Sequence, residues 1–172
     1  MPLRTRIWLV MAGLVLLTIN ASAQGTSARL AKVSKVTVLA LYNSTGAVPS
    51  GVSEGRLRTV LELRLRSAGL RVLTSDEDAK DPDVNPYVML EVSSLETSNQ
   101  GGRSTGFTYS TRLSIRTVGF VGLNGTRAPL ELWADGTMGI GPREETSTSI
   151  ERMVNELADS LLNQWLKDNP KR

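Results

Sequence analysis

The side chains that could do chemistry in this sequence are carboxylates and guanidinium groups, because its 172 residues include no histidine and no cysteine. Without histidine there is no Ser-His-Asp triad and no imidazole metal ligand. Without cysteine there is no thiol nucleophile, disulfide or thiolate metal site. Most common hydrolase mechanisms are therefore excluded, and we expect a protein that is not an enzyme and has no cofactor.

Two arginines and a polar loop form the candidate ligand or partner surface. Arg112 and Arg116 belong to a segment with strict apolar/polar alternation, so they lie on one strand face about 13 Å apart. They could bind an anionic ligand, and a solvated sheet surface is the alternative. Gln100 and Arg103 lie in the polar segment 97–106, which is predicted to be the hairpin loop before this strand.

Carboxylates suggest two further possibilities. Glu131 and Asp135 are predicted to share a strand face, and a glycosidase needs two carboxylates roughly 5 to 9.5 Å apart. Surface residues are the simpler interpretation of that pair. Five carboxylates between Asp76 and Asp83 could bind calcium, but the segment lacks the glycine and ligand spacing of an EF-hand. A solvated acidic loop is preferred there, and no metal site is predicted.

The elements that must position these residues begin with a strand, a helix and a second strand between Val36 and Leu73. Apolar residues at offsets of three and four from Leu57 to Ala68 predict an amphipathic helix. Ser53 is its expected N-cap, and Gly69 suits the left-handed position after its end. A crossover of this kind predicts that the two strands are parallel.

The second half of the chain predicts three consecutive strands and a long closing helix. Strands are expected at 87–96 and 107–121, and Asn124-Gly125 predicts an antiparallel turn into the fifth. In the fifth strand, Trp133 is expected on the face opposite the even-numbered residues 130–140. The helix is predicted over residues 150–166, with a capping box whose members are Thr148 and Glu151. The fold class is therefore α+β: a mixed five-stranded sheet with the element order βαβββα and two helices packed on one face.

The N-terminal residues predict export. Arg4 and Arg6 precede an apolar run that ends in Ala21-Ser22-Ala23, the pattern of a cleaved signal peptide covering residues 1–23. We expect a flexible lead-in at 24–32, a single domain at 33–168 and a tail at 169–172. Removing the leader leaves 18 basic against 17 acidic residues, which gives no case for nucleic-acid binding. A periplasmic or secreted protein with no stable membrane span is predicted.

Two segments resemble small bacterial envelope domains. They are Leu61 to Leu73, ending in Ala-Gly-Leu-Arg-Val-Leu, and Leu161 to Leu166 with the following Asn169-Pro170. Together with the element order they resemble the amino-terminal domain of the Tol periplasmic translocation protein and the lipoprotein that assists lipopolysaccharide assembly. The second segment is also similar to the tails of uncharacterised secreted bacterial proteins. The assembly lipoprotein is anchored through a lipidated cysteine, which this sequence lacks.

The function expected from these observations is a non-catalytic envelope accessory or binding module. Its partner is predicted to be a protein or an envelope component, bound through a strand edge, the Arg112/Arg116 face or the loop at 100–106. A carboxylate-dependent hydrolase and a carrier of small apolar ligands are the alternatives. The oligomeric state is left open by the sequence.

Overall fold

The fold is a five-stranded mixed sheet with helices packed on one face, in a computed structural model that describes residues 29–121 and 125–170. The predicted signal peptide and Asn124 lie outside the described residues. The predicted fold class and order of the main elements are confirmed. The elements are β1 (Lys35–Thr45), α1 (Glu54–Ser67), β2 (Arg71–Val72), α2 (Ser75–Lys80), β3 (Tyr87–Ser98), β4 (Ser104–Val121), β5 (Thr126–Gly141), a 3-10 turn (Arg143–Glu145) and α3 (Thr146–Asp168).

The strand order in the sheet is β2-β1-β3-β4-β5. β1 pairs in parallel with both β2 and β3, as expected when helices or long connections join the strands. β3, β4 and β5 form an antiparallel meander. The sheet therefore has two edges of very different length, because β2 has two residues and β5 has sixteen.

Helices α1 and α3 cover one face of the sheet and enclose the core. The Ser53 hydroxyl accepts from the Arg56 amide at 3.3 Å, and Gly69 has φ +92°, so both predicted ends of α1 are confirmed. Leu57, Leu61 and Leu65 of α1 are buried against the sheet. The buried residues of α3 are Thr146, Ile150, Met153, Val154, Leu157, Ala158, Leu161 and Leu162.

A β-bulge in β5 breaks the alternation predicted across that strand: Trp133 lies opposite the even-numbered residues 134–140 as predicted, but no longer on the same face as Glu131. Ile115 pairs with Trp133, but Arg116 pairs with Glu131, so Leu132 is an extra residue with no opposite partner. Before the bulge Glu131 lies on the face without helices, whereas after it Trp133 packs against the core. Met138 and Ile140 also lie on the face without helices and are 76% and 73% exposed.

Two local predictions about helix starts are also corrected. The segment predicted as an acidic loop contains α2, because Thr74 and Glu77 form a capping box and acidic residues occupy the first turn. The box predicted at Thr148 and Glu151 is absent from the described structure at that place. The helix already begins at Thr146, continuing the 3-10 turn that follows Pro142.

The segment before β1 is held by the end of α3. Leu30, within the segment predicted as a flexible lead-in, is fully buried, and its amide donates to Asp168 Oδ2 at 3.1 Å. Asn169 accepts from the Lys32 amide at 2.8 Å and donates to the Leu30 carbonyl at 2.8 Å. The Trp165 indole donates to the Val33 carbonyl at 2.6 Å. The domain boundaries stay a prediction.

Candidate functional site

The sheet has one face that no helix covers, which we call the open face. Its side chains come from alternate residues of the four long strands, and they combine leucines, methionines, serines and four charged groups. Leu39 and Leu41 of β1 and Leu95 of β3 are 48%, 42% and 51% exposed. The open-face residues are Leu39, Leu41, Met89, Glu91, Leu95, Ser110, Arg112, Ser114, Arg116, Glu131, Met138 and Ile140.

An ion network crosses the middle of the open face. Arg112 donates to both carboxylate oxygens of Glu131, at 3.0 and 2.8 Å, and its Nε lies 4.0 Å from Glu91. Arg116 lies 3.3 Å from Glu91 and 3.6 Å from Glu131. The hydrogen bond that Arg112 donates to Glu131 raises the pKa of Arg112 above its ordinary value. Two cations and two anions therefore neutralise each other on three neighbouring strands.

This network changes the predicted role of the arginine pair. The structure brings Arg112 and Arg116 together on one face, as the alternation predicts, but each guanidinium already has two carboxylate neighbours. An anionic ligand would have to displace Glu91 or Glu131 and would meet their charge. Paired, half-exposed groups of this kind contribute little stability individually. The arrangement favours a neutral polar surface over an anion site.

Ser114 lies at the centre of the open face, beneath the ion network. Its side chain is fully buried although it points away from the helices, between Met89 and Ala134 on the neighbouring strands. Its hydroxyl has no hydrogen-bond partner in the part of the chain that the structure describes. A buried unpaired hydroxyl is a cost that the fold tolerates at this position.

The hairpin loop with Gln100 and Arg103 is remote from the arginine pair. The loop is shorter than predicted, because β3 continues to Ser98 and β4 begins at Ser104. Asn99 closes the loop by accepting from the amides of Gly101 and Arg103 at 3.0 and 3.1 Å. Arg112 is nine positions after Arg103, about 30 Å at the rise of a β-strand. The four predicted site residues therefore form two separate surfaces.

The carboxylates proposed as a hydrolytic pair point to opposite faces of the sheet. Glu131 binds Arg112 on the open face, whereas Asp135 accepts from Ser160 of α3 at 3.1 Å on the helix face. The β-bulge between them causes the separation, because it reverses the side-chain alternation of β5. The prediction that they share a face is wrong, and the pair cannot act on one glycosidic bond.

The acidic segment binds a lysine of the protein itself. Lys35 Nζ lies 2.6 Å from Asp81 and 3.0 Å from Asp83. The Lys35 ammonium and the Asp83 amide lower the pKa of Asp81 to about 2, and the two carboxylates raise the pKa of Lys35. Within residues 29–121 and 125–170, no group of three or more His, Cys, Asp or Glu side chains is arranged to hold a metal ion.

The space between sheet and helices holds one continuous cluster of buried side chains. Several grooves of about 310 to 370 Å³ open to the surface. One, of about 360 Å³, lies between α1 and α3 and is lined by Arg64, Asp159 and Leu166 among others. This packing counts against a carrier that encloses a small apolar ligand under the helices. A search of the described helices for one long and apolar enough to cross a membrane finds none.

Several solved structures are similar to this chain. The minor lipoprotein from Acinetobacter baumannii is 11% identical with a TM-score of 0.44, covering 81% of this chain and 95% of that one. A PelC dodecamer from Paraburkholderia phytofirmans is 16% identical with a TM-score of 0.47, covering 77% and 90%. The rare lipoprotein B from Shewanella oneidensis is 12% identical with a TM-score of 0.36, covering 77% and 96%.

No family model and no curated protein sequence matches the chain. Two of the three structures named here are called lipoproteins. At these identities and TM-scores the likeness assigns neither a family nor a function. The resemblance to the Tol protein and to the lipopolysaccharide-assembly lipoprotein in particular stays a prediction.

The sequence does not show that Glu91 and Glu131 are the partners of the two arginines. The position of Glu91 opposite Arg112 depends on the β3/β4 register. Glu131 lies on the outward face, as expected for a surface residue, but the bulge at Leu132, which a simple alternation does not show, turns Asp135 to the opposite face. The cross-strand register, once known, is the signal that finds both residues.

Proposed function

We propose that this protein is an exported, non-catalytic module that binds a protein partner of the cell envelope through its open face. The observation that carries the proposal is a four-strand surface without a helical cover, on which exposed leucines flank an internally neutral ion network. Export is inferred from the predicted signal peptide at 1–23. The Arg112/Arg116 pair takes part as a section of this face, with its charges already balanced.

The size of the open face suits a macromolecule. Four long strands about 4.8 Å wide, followed for about nine residues at about 3.3 Å each, span roughly 600 Å² in projection. A standard protein interface buries about 800 Å² per partner, so the face provides most of one.

The chemistry of the face favours a protein over other envelope components. A phosphate-rich lipid or polysaccharide would require unpaired cations, whereas Arg112 and Arg116 are both held by carboxylates. Exposed leucines at 39, 41 and 95 can instead pack against apolar side chains of a partner. Gln100 and Arg103 lie at the far end of the hairpin and are proposed as a rim contact at most.

The test is affinity capture from envelope extract with the full chain as bait, comparing two matched double variants. Leu39→Glu with Leu95→Glu places two charges on the open face. Leu63→Glu with Leu166→Glu places the same two charges on exposed positions of α1 and α3, where the leucines are 62% and 40% exposed. We expect the open-face variant to lose about tenfold or more of its captured partner and the helix variant to retain it.

Two outcomes would refute the proposal. A partner captured equally by the open-face variant and the wild type would show that binding uses another surface. A partner lost equally from both variants would show that added charge, rather than the open face, controls capture. Circular dichroism of both variants confirms that they are folded, since substitutions at exposed sites change stability by about 0.5 kcal/mol or less.

A further inference from the structure

β5 is the long edge of the sheet, and its two halves are protected very differently against pairing with another strand. The first half contains Pro129 and the bulge at Leu132, two features that block strand addition at an edge. The second half, 136–141, has no proline, no charged residue and no bulge. Its side chains Met138 and Ile140 are 76% and 73% exposed.

The free backbone donors of this half-strand can be identified from the pairing pattern. The Thr37 amide donates to the Pro86 carbonyl, so the even-numbered residues of β3 direct their backbone amides and carbonyls towards β1 and the odd-numbered ones towards β4. The pairing registers then direct the backbone groups of odd-numbered β4 residues towards odd-numbered residues of β5. Even-numbered residues of β5 after the bulge consequently direct their amides and carbonyls away from β4. Gly136 is one of them, and its amide is capped by the Asp135 carboxylate at 2.8 Å.

Among the described residues 136–141, the outward amides without a partner are those of Met138 and Ile140. Pro142 cannot donate at the next outward position. A second strand can hydrogen-bond to the amides and carbonyls of both Met138 and Ile140 when one of its own residues lies opposite each of them. An antiparallel copy of the same strand does so if Met138 faces Ile140 of the other copy, with the two-fold axis at Gly139.

We propose that a second copy of this chain binds to this edge, so that two β5 strands pair antiparallel in the register that centres on Gly139. Met138 of each copy packs against Ile140 of the other, on the open face of a continuous ten-stranded sheet. The two strands approach without like-charge repulsion because 136–141 is uncharged. The self-complementary donors favour an identical strand as the occupant over an unrelated one.

The size of the contact predicts a reversible dimer. Pairing over about five residues buries less than the roughly 800 Å² per partner of a standard interface, so we expect self-association at micromolar concentration. This inference goes beyond the proposed function, because it concerns the edge of β5 rather than the leucines of β1 and β3. Dimerisation would join two open faces side by side.

Engineered disulfides test the register directly, because the natural chain has no cysteine. Cα atoms of a hydrogen-bonded antiparallel pair lie about 5.5 Å apart, within the range that a disulfide spans. Under a mild oxidant we expect a mixture of Met138→Cys and Ile140→Cys full-length chains to form the mixed dimer in excess over either homodimer. Leu95→Cys, on the same face but on β3, is the control and should remain monomeric.

Sedimentation at increasing concentration provides the second measurement. The wild type should dimerise, and Met138→Lys with Ile140→Lys should weaken the dimer about tenfold or more, because lysines block edge pairing. The Leu39→Glu, Leu95→Glu variant should still dimerise, which separates this proposal from the docking proposal. A wild type that is monomeric throughout, a dimer that survives both lysines, or cross-linking of Met138→Cys mainly to itself would overturn it.

Discussion

Lys35 and its two carboxylates make the stability of the protein depend on pH in the acid range. The pKa of Asp81 is about 2 in the folded chain, below its ordinary value of 3.8. A carboxyl with a lowered folded pKa contributes stability that is present above its unfolded pKa and is lost as the pH falls towards its folded pKa. The contribution of Asp81 is therefore complete above about pH 5 and declines between about pH 4 and 2.

Asp81→Asn tests this assignment. The variant lacks the titrating group, so its free energy of unfolding should fall less steeply than that of the wild type between about pH 5 and 2. Urea unfolding at several pH values measures the two curves. Parallel curves would contradict the assignment. Asp76→Asn in the same segment is the control, and we expect it to leave the pH dependence of the wild type unchanged.

Ser114 gives a second prediction at the scale of a single residue. Its hydroxyl is buried without a partner among the described residues, and a buried unpaired hydroxyl costs about 1 to 3 kcal/mol. Ser114→Ala removes that cost and leaves nearly the same volume. We expect the variant to be at least as stable as the wild type, by denaturant unfolding. A loss of more than about 1 kcal/mol would show that the hydroxyl has a stabilising partner.

At the scale of elements, the close packing of β5 beneath α3 depends on Gly139. A Cβ atom there would lie 2.7 Å from both the Tyr109 ring and the end of Met153. The ring of Tyr109 is buried and cannot move away freely. We therefore expect Gly139→Ala to lower the free energy of unfolding by about 1 to 3 kcal/mol.

The matched control for that variant is Gly55→Ala in α1. A Cβ atom at residue 55 meets nothing within 4 Å, and alanine is the better helix former. This variant should be more stable than the wild type by about 0.5 kcal/mol. Equal effects of the two alanines in thermal or denaturant unfolding would contradict the packing described for Gly139.

The elements also show how far the sequence predicts this fold. Three-and-four spacing found α1 and α3, and alternation found β3 and β4, because packing on one face imposes those periods. Thr74/Glu77 and Thr148/Glu151 have the same capping-box spacing, yet the structure has a capping box at the first pair alone. A 3-10 turn follows Pro142 and leads directly into α3, so the helix begins at Thr146, before Thr148.

The candidate site was less predictable than the fold, because it depends on pairing between distant segments. The arginines were found, since both lie on one strand face. Their neutralisation by Glu91 and Glu131 requires the register of two further strands and a one-residue bulge. Neither property is encoded in the local period of a strand.

At the scale of the whole molecule, the protein is a two-layer domain whose helices cover one face of the sheet. The sheet and helices enclose the apolar core between them, and the other face of the sheet exposes leucines and a neutral ion network, which we propose bind a partner. The long edge at β5 is the proposed place for a second copy. A sheet covered on one side therefore leaves both a face and an edge for association, and Met138 and Ile140 belong to both.

Site-specific photo-cross-linking in the cells that export the protein tests the central claim most directly. A photoreactive amino acid replaces Leu41 on the open face, and in a control chain it replaces Leu63, which is exposed on α1. The account predicts a cross-linked product with a protein partner at residue 41 and none at residue 63. The same product from both positions, or a product from residue 63 alone, would contradict binding through the open face.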